Sequence, residues 1–160
     1  IQWILENFVE FILESPIPIV YPVHPRTKNR LKEYGLWDRL VSARHVKLLP
    51  PVGYFDFLVL MKYSLFILTD SGGVQEEATV PIIRKPVLVL RWSTERPEAV
   101  KAGFSRLVGV TKHSILNNVK YLISNYDNII DGLPMESPFG DGRASERIIE
   151  MIYDELSNAY

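Results

Sequence analysis

A chain of 160 residues, 47% hydrophobic and 23% charged, has the size and make-up of one ordinary globular domain with a sizeable core. Lys and Arg number 18 against 19 Asp and Glu, so nothing points to a broad nucleic-acid or membrane surface. There is no cysteine, which removes disulfide frameworks and thiolate metal sites and fits a cytoplasmic setting.

Ile1, Ile4, Leu5, Phe8, Ile12 and Leu13 recur at helical spacing with Glu6, Asn7, Glu10 and Glu14 between them, and predict an opening amphipathic helix. Those carboxylates, with no basic leader before them, argue against a secretory signal. No run reaches the roughly 18 uninterrupted apolar residues of a membrane span. Ile1 stands where an initiator methionine is usual, which suggests a truncated or processed chain. Pro16 and Pro18 end the helix, and IPIVYPV (17–23) reads as a buried strand. TKNRLKEY (27–34) follows as a polar helix closed by Gly35. HVKLL (45–49) is the next strand, YFDFLVLMKY (54–63) a helix and LFILT (65–69) a strand. A helix begins at Gly72-Gly73, and then come the strand PVLVL (86–90), a helix over Pro97–Ala102 and the strand RLVGV (106–110). A helix from Thr111 and a final amphipathic helix, SERIIEMIYDEL (145–156), complete the chain. Five strands alternating with helices, in continuous apolar runs, imply a Rossmann-like α/β domain over residues 1–160. Its sheet is expected to be parallel, open and doubly wound. Ligands of such sheets bind outside the carboxyl ends of the strands.

Three polar clusters fall there. In LFILTDSGGVQEEA (65–78) a buried strand runs into Ser71, Gly72 and Gly73 at a helix start. Free backbone N–H groups and the helix dipole make such a turn an anion site. Glu77 lies about 7.5 Å further along the axis at 1.5 Å per residue. It is too remote for a phosphate and suited to a ribose diol. The same residues also fit a plain tight turn with solvent-facing glutamates. His24 directly follows the first strand, although a lone histidine is more often structural. Arg96 precedes Pro97 after the fourth strand, where it suits either a phosphate or a surface ion pair. Phe57, behind the loop LLPPVGY, could stack on a base, although core packing of Phe55 or Phe57 is the commoner reading. His45 and His113 read as ordinary surface or packing residues.

Taken together, VHPRT, PVGYFDF, TDSGGVQEEA, KPVLVLR, TERPEAVKAG, RLVG and PFGDGRASERI resemble, in order, the C-terminal domain of the non-hydrolysing UDP-N-acetylglucosamine 2-epimerases. The resemblance covers nearly the whole chain from about Pro18 to Ile149. It implies one half of a two-domain GT-B type enzyme that interconverts UDP-GlcNAc and UDP-ManNAc by eliminating and re-adding UDP. By similarity, Ser71, Gly72 and Gly73 contact the diphosphate, Glu77 the ribose, Arg96 the diphosphate or nearby sugar, and Phe57 the uracil. His24 faces the reacting region as the catalytic residue. No cofactor and no metal are implied. The N-terminal domain, the first strand of this domain and the carboxylates that handle the C2 proton are absent from these residues, so the chain alone is expected to be inactive. It is also expected to form a homodimer or to be marginally stable, because a sheet short of a strand exposes an edge. ATVPIIRKP (78–86) departs from the family by about two added residues, with Arg84 at a common glycine. Two alternatives stand beside this reading: the donor-binding half of a UDP-sugar glycosyltransferase, and a non-catalytic nucleotide-binding or subunit-contact module.

Overall fold

The computed structural model describes residues 1–158. Helix α1 spans Gln2–Leu13 and leads into strand β1, Ile19–Pro22. Helices α2 (Pro25–Glu33) and α3 (Trp37–Ser42) precede β2, Val46–Leu49. Then come α4 (Tyr54–Tyr63), β3 (Ile67–Thr69), α5 (Gly72–Glu77), β4 (Val87–Val89) and α6 (Pro97–Lys101). Strand β5 (Ser105–Leu107), α7 (Lys112–Ser124), α8 (Tyr126–Gly132) and α9 (Ala144–Asn158) finish the chain.

All five predicted strands form within or beside their apolar runs. The last is shorter than RLVGV suggests, because Gly109 adopts φ +67 and turns the chain out of the ladder after Leu107. Helix α2 starts two residues earlier than the polar run, since Pro25 needs no amide partner in a first turn. It closes at Gly35, where the Leu36 N–H reaches back to the Leu31 carbonyl (2.8 Å). Two helices went unread. WDRLVS is too short to display a period, and α8 hides behind Asn125, whose side-chain amide donates to the Tyr121 carbonyl (2.8 Å) as α7 ends.

The expected parallel α/β arrangement forms, with its ladder in two pieces. Every pairing is parallel, but β1 pairs only with β2, whereas β3, β4 and β5 form a separate ladder. The order β2-β1 followed by β3-β4-β5 is that of a doubly wound sheet without its innermost strand. Among the described residues no strand occupies that position, so β1 and β3 each keep an unpaired edge. One core nevertheless runs beneath both pieces. Ile19, Tyr21 and Val23 share a hydrophobic cluster with Phe66, Leu68 and Leu88, closed by α1, α2, α3 and α7. The alternate residues of β3 and β4, Ile67, Val87 and Val89, face a second cluster under α4 and α5. Both faces of β4 are therefore buried, as continuous apolar runs require.

Arg84 has φ 45, in the region that favours glycine. Its guanidinium donates to the carbonyls of Ile130, Leu133 and Pro134, satisfying the C-terminal end of α8. The loop is thus anchored on α8 at Arg84, while its first residues continue from the end of α5 through Thr79 and Val80. Ile148, Ile149, Ile152 and Leu156 leave an apolar side of α9 exposed. Among the described residues no helix is long and apolar enough to cross a membrane.

The split ladder can be tested by hydrogen exchange. Ile19 and Val23 donate toward β2 and Ile67 toward β4, so alternation aims the Val20 and Leu68 amides at the unpaired edges. In this chain those two amides should exchange much faster than those of Val87–Val89; equal protection would show that the edges are paired.

Candidate functional site

Parallel pairing puts the carboxyl ends of the strands at one edge, and the loops that leave it carry the polar clusters. The β1 and β3 ends lie near each other. Burial, with the negative charge of Asp70 beside it, pushes the Tyr21 phenol up to about 12.

His24 is exposed and caps α2, its Nδ1 accepting the Arg26 N–H (3.2 Å). An Nδ1 that accepts leaves the proton of the neutral ring on Nε2, which is then a donor. At the β3–α5 turn the Ser71 N–H donates to Thr69 Oγ1 (3.0 Å), and the Ser71 hydroxyl makes no capping bond. Gly72 matters for close approach: an added Cβ would meet the Glu95 carboxylate at 2.9 Å and the Arg96 guanidinium carbon at 3.5 Å.

The β4–α6 loop is therefore laid directly on this turn. Arg96 pairs through Nε with Glu76 of α5, and its Nη1 donates to the Glu95 carbonyl (3.1 Å). Nη2 of that guanidinium has no partner among the described residues, and Nη1 keeps a second N–H. Glu95 is held by Arg91 (2.6 Å). A bond from its own backbone N–H, helped by Arg91 and Arg96, keeps its carboxyl below the ordinary value. Fully buried Gln75 bridges turn and loop, donating to the Ser71 carbonyl (3.2 Å) and accepting from Thr94 Oγ1 (2.7 Å).

Ser71, Gly72 and Arg96 are thus brought together, with Gly73 and Glu77 on the same short helix. Glu77 has no ion-pair or side-chain hydrogen-bond partner among the described residues. Phe57 is half-buried and packs against the cluster of Met61 and Ala78, whereas Phe55 is exposed. No hydrogen bond joins His24 or Phe57 to the Ser71–Arg96 group among the described residues. His45 Nε2 meets the Ile12 carbonyl (2.9 Å), and His113 meets Asn117 (2.9 Å). Sequence reasoning missed Gln75, Glu76 and Thr94. The available signal was a glutamine three residues before Ala78 and four before Thr79, on the buried side of its helix.

The family model described as UDP-N-acetylglucosamine 2-epimerase matches residues 3–153. The chain belongs to that family. It is 43% identical over 152 residues to the UDP-N-acetylglucosamine 2-epimerase of Methanocaldococcus jannaschii, covering 92% of this chain and 39% of that protein. A crystal structure of the M. jannaschii UDP-GlcNAc 2-epimerase in complex with UDP-GlcNAc and UDP superposes with a TM-score of 0.73. Identity there is 41%, over 94% of this chain and 39% of that one. The Neisseria meningitidis UDP-GlcNAc 2-epimerase bound to UDP-GlcNAc gives 0.73 at 39% identity, over 96% and 41%. This member of the epimerase family has their α/β fold with parallel sheets, one half of the GT-B type, and spans about two fifths of their length.

Two predictions concern this edge of the epimerase domain. His24→Ala should cost about 1 kcal/mol of stability by removing the cap, and His24→Asn should restore most of it; thermal unfolding of the three proteins decides. Tyr21, with its pKa raised from 10.0 to about 12, favours the neutral form when folded. Its contribution is complete below pH 10 and is lost as pH rises through 12. Tyr21→Phe should flatten that alkaline loss in denaturant titrations, and an unchanged profile would assign it to other groups.

Proposed function

We propose that this chain is the UDP-sugar-binding half of an enzyme that interconverts UDP-GlcNAc and UDP-ManNAc by elimination and re-addition of UDP. The observation that carries the reading is the closure of the β4–α6 loop on the β3–α5 turn, which gathers Arg96 with Ser71, Gly72 and Gly73. Hydroxyl, backbone N–H and guanidinium donors then converge on one anion, while the Glu77 carboxylate, without a partner among the described residues, accepts from the ribose. Uracil packs toward Phe57.

In the forward step the C2 proton leaves, the bond from C1 to the diphosphate oxygen breaks, and a 2-acetamidoglucal and UDP result. Re-addition of UDP, with a proton delivered to the opposite face of C2, gives the epimer. Negative charge grows on the departing diphosphate, so donors fixed beside it lower the barrier more than they tighten the ground state. Arg96 shares its charge with Glu76 and offers Nη2, and His24 offers its Nε2 proton to the same oxygens. The carboxylates that move the C2 proton lie in the part of the relatives that this chain does not match, so these residues alone bind nucleotide without turning it over.

Calorimetric titration of the chain with UDP tests this. Binding should weaken about tenfold or more in both Glu77→Ala and Arg96→Ala, each of which removes a charge-assisted hydrogen bond. A folded chain that binds no UDP would overturn the reading, as would transfer of the sugar to an acceptor once the chain is joined to the other half of an epimerase.

A further inference from the structure

Arg96 stands at the end of the β4–α6 loop, and Ser71 with Gly72 at the β3–α5 turn. The connection between them runs through a side chain that solvent does not reach. Gln75 is 0% exposed, and its neighbours Val74 and Ala78 belong to the hydrophobic cluster under the sheet. A carboxamide is costly there unless both ends are bonded, and both are. Nε2 donates to the Ser71 carbonyl (3.2 Å) and Oε1 accepts the Thr94 hydroxyl (2.7 Å). Thr94 Oγ1 in turn accepts the Arg96 N–H (3.1 Å).

The direction of this chain of bonds is determined. Rotating the carboxamide by half a turn would set its oxygen against the Ser71 carbonyl, acceptor against acceptor. The Thr94 hydroxyl has one proton, given to Gln75, and its lone pair takes the backbone of Arg96. Glu76, the next residue along α5, holds the Arg96 side chain. Consecutive residues of one short helix therefore fix the backbone and the guanidinium of the same arginine.

We propose that Gln75 is a positioning residue for Arg96: its buried carboxamide, acting through Thr94, fixes the β4–α6 loop at the spacing from Ser71 and Gly72 that a diphosphate spans. This rests on reading Arg96 and Ser71–Gly73 as the diphosphate contacts. Gln75 touches no ligand on this account. Its effect is on where Arg96 stands before the anion arrives, which lowers the ordering cost of binding.

The test compares Thr94→Val, which keeps the side-chain shape and removes the hydroxyl, with Thr94→Ser, which restores it, and with Gln75→Leu. Titration with UDP should show about a tenfold loss for Thr94→Val and recovery to within about twofold for Thr94→Ser, the size of one hydrogen bond. Uridine, which has no phosphate, should bind all of them alike. Joined to Gln75→Leu, Thr94→Val should add little further loss, because both break one chain of bonds. If Gln75→Leu does not fold, the Thr94 pair decides alone. UDP affinity unchanged in Thr94→Val would overturn the proposal, as would equal losses for UDP and uridine. Should the parent chain bind no UDP, the functional reading fails separately, and the positioning claim is then judged on backbone amide resonances. Movement of the Ser71 and Gly72 signals in Thr94→Val, reversed in Thr94→Ser, supports the coupling; unmoved signals overturn it.

Discussion

Parallel pairing of β3 with β4 is the constraint on which the site depends. Its register sets Ile67 beside Val87 and Thr69 beside Val89, so the two strands end level with one another. The turn after Thr69 and the loop after Val89 must then leave the sheet side by side. Antiparallel pairing would have sent Ser71 and Arg96 to opposite edges. Parallel strands also bury both faces, and β4 is buried at all three positions. The polar residues that follow these strands have no room in the core and collect at the carboxyl edge.

What happens at that edge is decided by unequal desolvation. Gln75 is sealed from water and fully bonded, whereas the ion pairs Arg96–Glu76 and Arg91–Glu95 remain partly exposed. Exposed pairs contribute little to stability. A buried, satisfied amide is held much more firmly. The site therefore combines a sealed tie, bonded at both ends, with partly exposed ion pairs above it.

The two-piece sheet sets a different limit. Beneath it, the cluster joining β1 and β2 to β3 and β4 is continuous through Tyr21, Phe66 and Leu68. Above it, the second cluster covers only β3 and β4, through Ile67, Val87 and Val89. Val20, on the unpaired side of β1, is half-exposed. One core face and the surrounding helices thus hold β1 near β3 without a hydrogen-bonded ladder between them. Hydrophobic contact tolerates that gap because it is not directional, while backbone pairing is.

Local pattern determined the five strands, the opening and closing helices, the stop at Gly35 and the helix start at Pro97, because each rests on side chains within a few residues of one another. It also located His24, Ser71, Gly72, Gly73 and Arg96 after strand ends and Glu77 on the helix that follows, and the motif order pointed to the family. It could not separate α8 from α7 or display the six residues of α3, where no apolar period has room to develop. The division of the sheet was beyond it as well, since strand order follows from non-local pairing. Nor could it tell which of two adjacent glutamates meets Arg96. That choice between Glu76 and Glu77 depends on which side of α5 the β4–α6 loop covers, and only the tertiary packing of β3 against β4 settles it.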